Sequence, residues 1–129
     1  MKSIFTAILF CLSIHSYGQN QTITILKFNE TVTIDTIELQ LISVVDSRCP
    51  RTVNCIRAGE ALVVVDLFKD GKFLKQQTLT FYPTPSNKSD MLLYASNGLN
   101  ISGLNVLPHP DGQDKINEKD YFLELAIEN

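Results

Sequence analysis

The chain carries short runs of β-branched and aromatic residues, each bounded by turn residues, and it has no stretch with a sustained helical period. In several runs, apolar side chains recur at every second position, which is the spacing of a strand with one buried face. Seven runs have this character: 21–28, 31–45, 60–69, 72–81, 91–96, 99–107 and 120–127. They predict an all-β fold, a single antiparallel β-sandwich or small Greek-key barrel of about seven strands.

Two dipeptides predict tight turns between neighbouring runs. Asp70-Gly71 separates 60–69 from 72–81 and suits a type I′ turn, because both central positions of that turn need positive φ. Asn97-Gly98 has the same character. Both pairs therefore predict β-hairpins.

The run 31–45 is long for a single strand. We expect it to bend or bulge near Asp35-Thr36, and its alternation becomes two-sided towards its end. The predicted inner face consists of Ile37, Leu39, Leu41, Ser43 and Val45.

The first 18 residues have the order of a secretory signal peptide, with a positive start at Lys2, an apolar core over 4–14 and small residues before a cleavage site after Gly18. The core is too short to span a membrane. We therefore expect a secreted or periplasmic protein with one β-sandwich domain, residues 19–129, and no transmembrane segment after cleavage. The alternatives are a buried N-terminal element and lipidation at Cys11, although a lipoprotein peptidase prefers a small residue where Phe10 stands.

The composition is that of a globular domain, with 44% hydrophobic and 19% charged residues. There are 14 acidic and 11 basic residues, which give a net charge of −3. A basic footprint for nucleic acid is missing, so nucleic acid is not an expected partner.

One segment stands out, residues 46–61, which contain Cys49 and Cys55. Two cysteines in the mature part of an exported chain predict a disulfide. Gly59 permits a positive φ before the next run begins. Arg48 could pair with Asp46 or Glu60.

This segment has the pattern D-S-R-C-P-x-x-V-x-C-x-x-A-G-E-A, which resembles one shared by small exported bacterial proteins and lipoproteins of uncharacterised function. In such proteins the second position after the second cysteine is often aromatic, whereas this chain has Arg57. The resemblance carries no activity with it.

Two interpretations of the segment follow. In the structural one, the connection between two strands needs the disulfide, Gly59 and a buried Asp–Arg contact. In the functional one, a rigid recognition loop presents Arg48, Arg51 and Arg57 to a carboxylate, a sulfated glycan or an acidic protein surface.

No constellation of catalytic residues is found. His109 is the only histidine beyond the signal peptide, so zinc, copper and Cys–His chemistry lack partners, and no G-x-S-x-G elbow supports a serine triad. We expect no catalytic residue, no metal and no cofactor. A loose calcium site at Asp111, Asp114 and Glu118 is an alternative to a solvated loop. Carbohydrate stacking would use tyrosines, namely Tyr82, Tyr94 or Tyr121.

These observations favour a non-enzymatic, exported domain that binds an extracellular or periplasmic ligand or protein at the cell envelope. One alternative is a proteinase inhibitor that presents the Cys49–Cys55 loop, with Arg48 or Arg51 suited to a trypsin-like pocket. Another is a small hydrolase that uses carboxylates.

Overall fold

The computed structural model describes residue 18 and residues 20–85, 87–112 and 114–129. The predicted signal peptide, apart from Gly18, lies outside the described residues. The strands of the described chain are β1 (Gln21–Lys27), β2 (Thr31–Ile34), β3 (Ile37–Asp46), β4 (Ala61–Lys69), β5 (Lys72–Phe81), β6 (Leu92–Ser96), β7 (Leu99–Leu107) and β8 (Phe122–Glu128). Two short 3₁₀ helices, Lys88–Met91 and Glu118–Asp120, lie in the connections.

The strands form two antiparallel four-stranded sheets, which confirms the predicted all-β sandwich. Sheet 1 has the order β1-β8-β7-β6, and sheet 2 has the order β2-β3-β4-β5. Consecutive strands β2 to β5 form a meander. Sheet 1 places the last strand, β8, between the first strand and β7, so the first and last strands of the described chain are paired.

The core lies between the two sheets and follows from the period of two along each strand. In β4, alternate residues are fully buried, and β8 contributes Leu123 and Leu125 from the opposite sheet. The buried residues of β4 are Ala61, Val63, Val65 and Leu67. The core includes no buried polar or charged residue among the described positions.

The prediction of one strand over 31–45 is wrong, because the chain reverses where only a bend was expected. Asp35 and Thr36 form a tight turn, and β2 and β3 pair antiparallel across it, with Ile34 opposite Ile37. Asp35 has a φ of 54°. Aspartate tolerates this left-handed conformation better than most residues, so the turn forms without glycine. The described chain therefore has eight strands rather than seven.

A β-bulge in β3 explains the two-sided pattern at its end. The pairing with β4 shifts between Leu41 and Ser43, which places the extra residue Ile42 in the bulge. Beyond it the faces exchange, so Val44 is buried and Val45 is exposed. The predicted inner face was therefore right up to Leu41 and wrong at Val45.

Both predicted tight turns are confirmed. Asp70 and Gly71 have φ of 52° and 77°, and Asn97 and Gly98 have 50° and 80°, so both central positions of each hairpin turn are positive.

Gly103 in β7 is required by packing rather than by backbone conformation. A Cβ atom there would lie 2.6 Å from Leu79 Cδ1 and 3.2 Å from Phe81 Cζ, both in the opposite sheet. The substitution Gly103→Ala should therefore lower the free energy of unfolding by about 1–3 kcal/mol, since the core must shift to admit the methyl group. Urea denaturation of the two proteins measures the difference.

The matched control is Gly112→Ala, where an added Cβ meets nothing within 4 Å. Its free energy of unfolding should stay within about 0.5 kcal/mol of the wild-type value. Equal effects at the two positions would show that Gly103 does not mark close contact between the sheets.

Candidate recognition site at one end of the sandwich

The distinctive segment 46–61 forms the extended end of the β3–β4 hairpin. Beyond the last strand pair, the Ser47 amide donates to the Glu60 carbonyl at 2.8 Å, and the Cys49 amide donates to the Ala58 carbonyl at 2.9 Å. Gly59 has a φ of 72°, and a side chain there would overlap the Ser47 carbonyl. The glycine predicted at this position is therefore required both by its positive φ and by the close approach of the two backbone segments.

The predicted disulfide between Cys49 and Cys55 is present, with the two Cα atoms 5.9 Å apart. It closes the end of the hairpin, and residues 50–57 are called the tip loop below. Within it the Val53 amide donates to the Pro50 carbonyl at 3.1 Å, which forms a compact turn.

Hydrogen bonds attach the tip loop to the connection between β7 and β8. The Arg51 amide donates to the Pro110 carbonyl at 3.0 Å, and the Thr52 hydroxyl donates to the Asp111 carbonyl at 2.6 Å. His109 Nε2 lies 3.2 Å from the Cys49 carbonyl oxygen, and since that oxygen only accepts, Nε2 carries the proton. The two long connections therefore form one surface.

Beneath this surface, Arg48 and Asp46 form a bidentate ion pair. Arg48 Nε donates to Asp46 Oδ1 at 2.8 Å and Nη2 donates to Oδ2 at 2.7 Å. The Arg48 backbone amide also donates to Oδ1, at 3.0 Å. The side chains of Arg48 and Asp46 are only 9% and 3% exposed. Of the two partners that the sequence suggested for Arg48, the structure shows Asp46.

The remaining donors of the same guanidinium reach the other sheet. Nη1 donates to the Val106 carbonyl at 2.9 Å, and Nη2 donates to the Pro108 carbonyl at 2.9 Å. Arg48 thus joins β3 of sheet 2 to the end of β7 in sheet 1.

Tyr121, just before β8, completes the network, and sequence reasoning did not assign it this role. Its hydroxyl donates to Asp46 Oδ2 at 2.8 Å. Burial, the hydrogen bond and the charge of Asp46 together raise the pKa of Tyr121 above its ordinary value of 10.0. The hydroxyl therefore remains a donor. An alternating strand pattern signals that Tyr121 points inward, but it carries no information about a partner 75 residues away.

The carboxyl group of Asp46 is subject to opposing effects. Desolvation by burial pushes its pKa upward, whereas the hydrogen bonds from Arg48 and Tyr121 push it downward. The combined effect of the hydrogen bonds is larger than that of desolvation, so the pKa of Asp46 lies below its ordinary value of 3.8. Asp46 is therefore ionised at neutral pH, as the ion pair requires.

The three arginines that the sequence grouped together have different surroundings. Arg48 lies inside the network, whereas Arg51 and Arg57 are exposed on the tip loop. The ion pairs of the described residues are Arg48–Asp46 and Lys88–Glu128, so neither exposed guanidinium has a carboxylate partner there. Ile56 and Val53 are also exposed on the tip loop, Ile56 completely.

A mostly apolar groove of about 650 Å³ begins at the base of the tip loop. Its walls include Arg48, Cys49, Tyr82, Pro83, Leu104 and His109. Its volume is in the range of small-molecule sites. Of the three tyrosines considered for carbohydrate stacking, Tyr82 is exposed, Tyr94 packs against the core and Tyr121 is buried.

Within the part of the chain that the structure describes, no group of three or more His, Cys, Asp or Glu side chains could hold a metal ion. No helix among those residues has the length and apolarity needed to cross a membrane. Comparison of the chain with protein-family models, curated proteins and solved structures gives no match.

The network predicts a large effect for Asp46→Asn. This change leaves the buried guanidinium of Arg48 without a counter-ion, so the free energy of unfolding should fall by about 3–5 kcal/mol. Tyr121→Phe keeps the ion pair and removes one hydrogen bond to a charged group, so about 1.5–3 kcal/mol should be lost. Urea denaturation at neutral pH measures both. The opposite ranking of the two variants would contradict the central role of the ion pair.

The lowered pKa of Asp46 also fixes the sign of the pH dependence. The unfolded chain binds the proton more tightly, so the contribution of Asp46 is complete above the unfolded pKa of about 3.9 and is lost as pH falls through the lower folded value. The difference in unfolding free energy between wild type and Asp46→Asn should stay constant from about pH 7 to pH 5 and shrink below about pH 4. If the difference in unfolding free energy instead grew as the pH fell, the assigned sign of the pH dependence would be wrong.

The disulfide should contribute less than the ion pair because the ring it closes is small. On the chain-entropy model, Cys49→Ser together with Cys55→Ser should lower the free energy of unfolding by about 2–2.5 kcal/mol. The protein should still fold, since the hydrogen bonds to Pro110 and Asp111 remain. Urea denaturation tests this, and complete loss of folded protein would show that the bridge is essential for folding.

Proposed function

We propose that this chain is an exported, non-enzymatic binding domain that recognises an acidic protein surface at the cell envelope through its tip loop. The observation that carries the proposal is a fully exposed Ile56 on a loop whose base is fixed, together with two exposed arginines of the same loop, Arg51 and Arg57, that form no ion pair with any described residue.

The fixed base supports the proposal through the energetics of association. Binding is weakened by the entropy lost when a mobile loop becomes ordered, and a preorganised loop avoids much of that loss. Here the disulfide, the turn at Pro50–Val53 and the hydrogen bonds to Pro110 and Asp111 restrain the tip loop before any partner arrives.

The chemistry of the tip loop supports an acidic, partly apolar partner. Arginine is enriched among the residues that dominate protein interfaces, and an apolar side chain at the centre of such a patch gains from leaving water. The whole chain has a net charge of −3, whereas the tip loop itself carries two arginines and no Asp or Glu. Complementary charge speeds encounter and excludes partners of the same sign.

Proteinase inhibition is less favoured by the same geometry. A partner that binds an extended peptide segment does so through main-chain hydrogen bonds. Arg51 instead lies inside a closed turn, and its amide already donates to the Pro110 carbonyl, so this segment is not presented in an extended form. Arg48, the other candidate for a trypsin-like pocket, is buried.

Site-specific crosslinking in the exporting host tests the proposal. A photoreactive side chain introduced at Ile56 should give a crosslinked protein partner, and the same group at the exposed Phe73 of β5 should not. Arg51→Ala with Arg57→Ala should abolish the crosslink from position 56 without changing the melting temperature, because both side chains are exposed.

The matched control is Lys72→Ala with Lys75→Ala, which removes two exposed positive charges from β5 and should leave the crosslink unchanged. Crosslinks of equal yield from positions 56 and 73, or a crosslink that survives loss of both arginines, would contradict the proposal. Stoichiometric inhibition of a trypsin-like proteinase that is lost in Arg51→Ala would favour the inhibitor instead.

Mass spectrometry of the protein recovered from the exporting host tests cleavage and the disulfide together. We expect the mass of residues 19–129 less two hydrogens.

A further inference from the structure

The first strand is an edge of sheet 1 whose one charged residue, Lys27, is its last, so most of the strand lacks the protection against pairing that the other three edges have. Exposed edges usually carry charges, bulges or very short strands, which prevent association with another strand. In β1, no charged side chain occurs between Asn20 and Leu26, and the pairing with β8 runs without a register shift. Its outer face exposes Ile23 and Ile25, at 59% and 41%.

The other edges each have a protective feature. β2 has four residues, with Glu30 and Asp35 at its ends. β5 carries Lys72 and Lys75, and its pairing with β4 contains a register shift. β6 has five residues and a register shift against β7.

The unpaired backbone groups of β1 can be assigned from the hydrogen bonds at its end. The Phe28 amide donates to the Tyr121 carbonyl in line with β8, and the Asn29 amide points the other way, to Leu41. Backbone groups alternate sides along a strand, so those of Thr24 face β8 and those of Ile23 and Ile25 face away from it. The amide and carbonyl groups of both isoleucines therefore point to the free edge, where no described residue pairs with them.

We propose that two copies of this chain associate through antiparallel pairing of β1 with β1, about a two-fold axis at Thr24. In this register Ile23 of one copy lies opposite Ile25 of the other, and the two residues exchange both backbone hydrogen bonds, twice per dimer. The same arrangement is an isologous contact and joins the two copies of sheet 1 into one eight-stranded sheet.

The sequence of β1 is complementary to itself in this register. The paired isoleucines meet on the outer face, where aliphatic cross-strand pairs are favourable, and Thr24 meets Thr24 on the other face. Residues 20–26 carry no charge, and Lys27 lies opposite Gln21 of the other copy in this register, so no like charges are brought together. Pairing covers the two most exposed aliphatic side chains of the strand, Ile23 and Ile25.

Sedimentation velocity of the protein recovered from its exporting host, from micromolar to submillimolar concentration, tests the association. The wild type should change from the mass of one chain to that of two. Ile23→Lys with Ile25→Lys should remain a monomer, since like charges then face each other across the axis. Phe73→Lys with Leu74→Lys, which places the same charges on β5, should still form the dimer. A wild-type protein that stays monomeric would overturn the proposal.

A charge exchange and a backbone probe distinguish edge pairing from any other dimer. Ile23→Glu with Ile25→Glu should also be monomeric, and mixing this variant with the lysine variant should restore a dimer that contains one copy of each. In hydrogen exchange followed by NMR, the amides of Ile23 and Ile25 should become protected as wild-type concentration rises, while that of Thr24 is protected throughout. A dimer in which the Ile23 and Ile25 amides stay unprotected, or which the lysines leave intact, would show that another surface mediates it.

Discussion

The buried guanidinium of Arg48 sets the arrangement of one whole end of the molecule. A charge removed from water is tolerated only when its donors are satisfied. The acceptors here come from two parts of the chain, Asp46 at the end of β3 and the carbonyl groups of Val106 and Pro108 at the end of β7. Tyr121, just before β8, donates a hydrogen bond to the second oxygen of Asp46. Where the apolar core ends, this polar network therefore connects the two sheets and determines where the long connections run.

The features that the sequence predicted are those governed by neighbours along the chain. Asp70-Gly71 and Asn97-Gly98 form the expected hairpin turns because local backbone conformation decides them. The reversal at Asp35 was missed, since a left-handed aspartate gives a weaker signal than a pair that contains glycine. A bulge adds one residue to the alternating pattern, and only the partner strand shows where it lies, so Val45 was assigned to the wrong face.

The candidate site was predictable in its covalent part and, to within two alternatives, in its ion pair, but not in its full extent. Cys49 and Cys55 were expected to be joined, and Asp46 was one of the two partners considered for Arg48, with Glu60 the other. Tyr121 and the carbonyl groups that complete the network come from distant positions, and no local pattern encodes them. The division between the buried Arg48 and the exposed arginines likewise depends on where the hairpin ends.

The two proposed surfaces have a defined geometric relation. The Lys27 end of β1 pairs with Phe122, which pairs with Leu107, next to the carbonyl group that receives Arg48. The tip loop therefore lies beyond the Lys27 end of β1. Antiparallel pairing of two β1 strands reverses that direction between copies, so the tip loops of a dimer would face opposite ways. Such a dimer would bind two partners on opposite sides and could not place both tip loops on one partner surface. Any gain from having two sites would then come from linking separate partners.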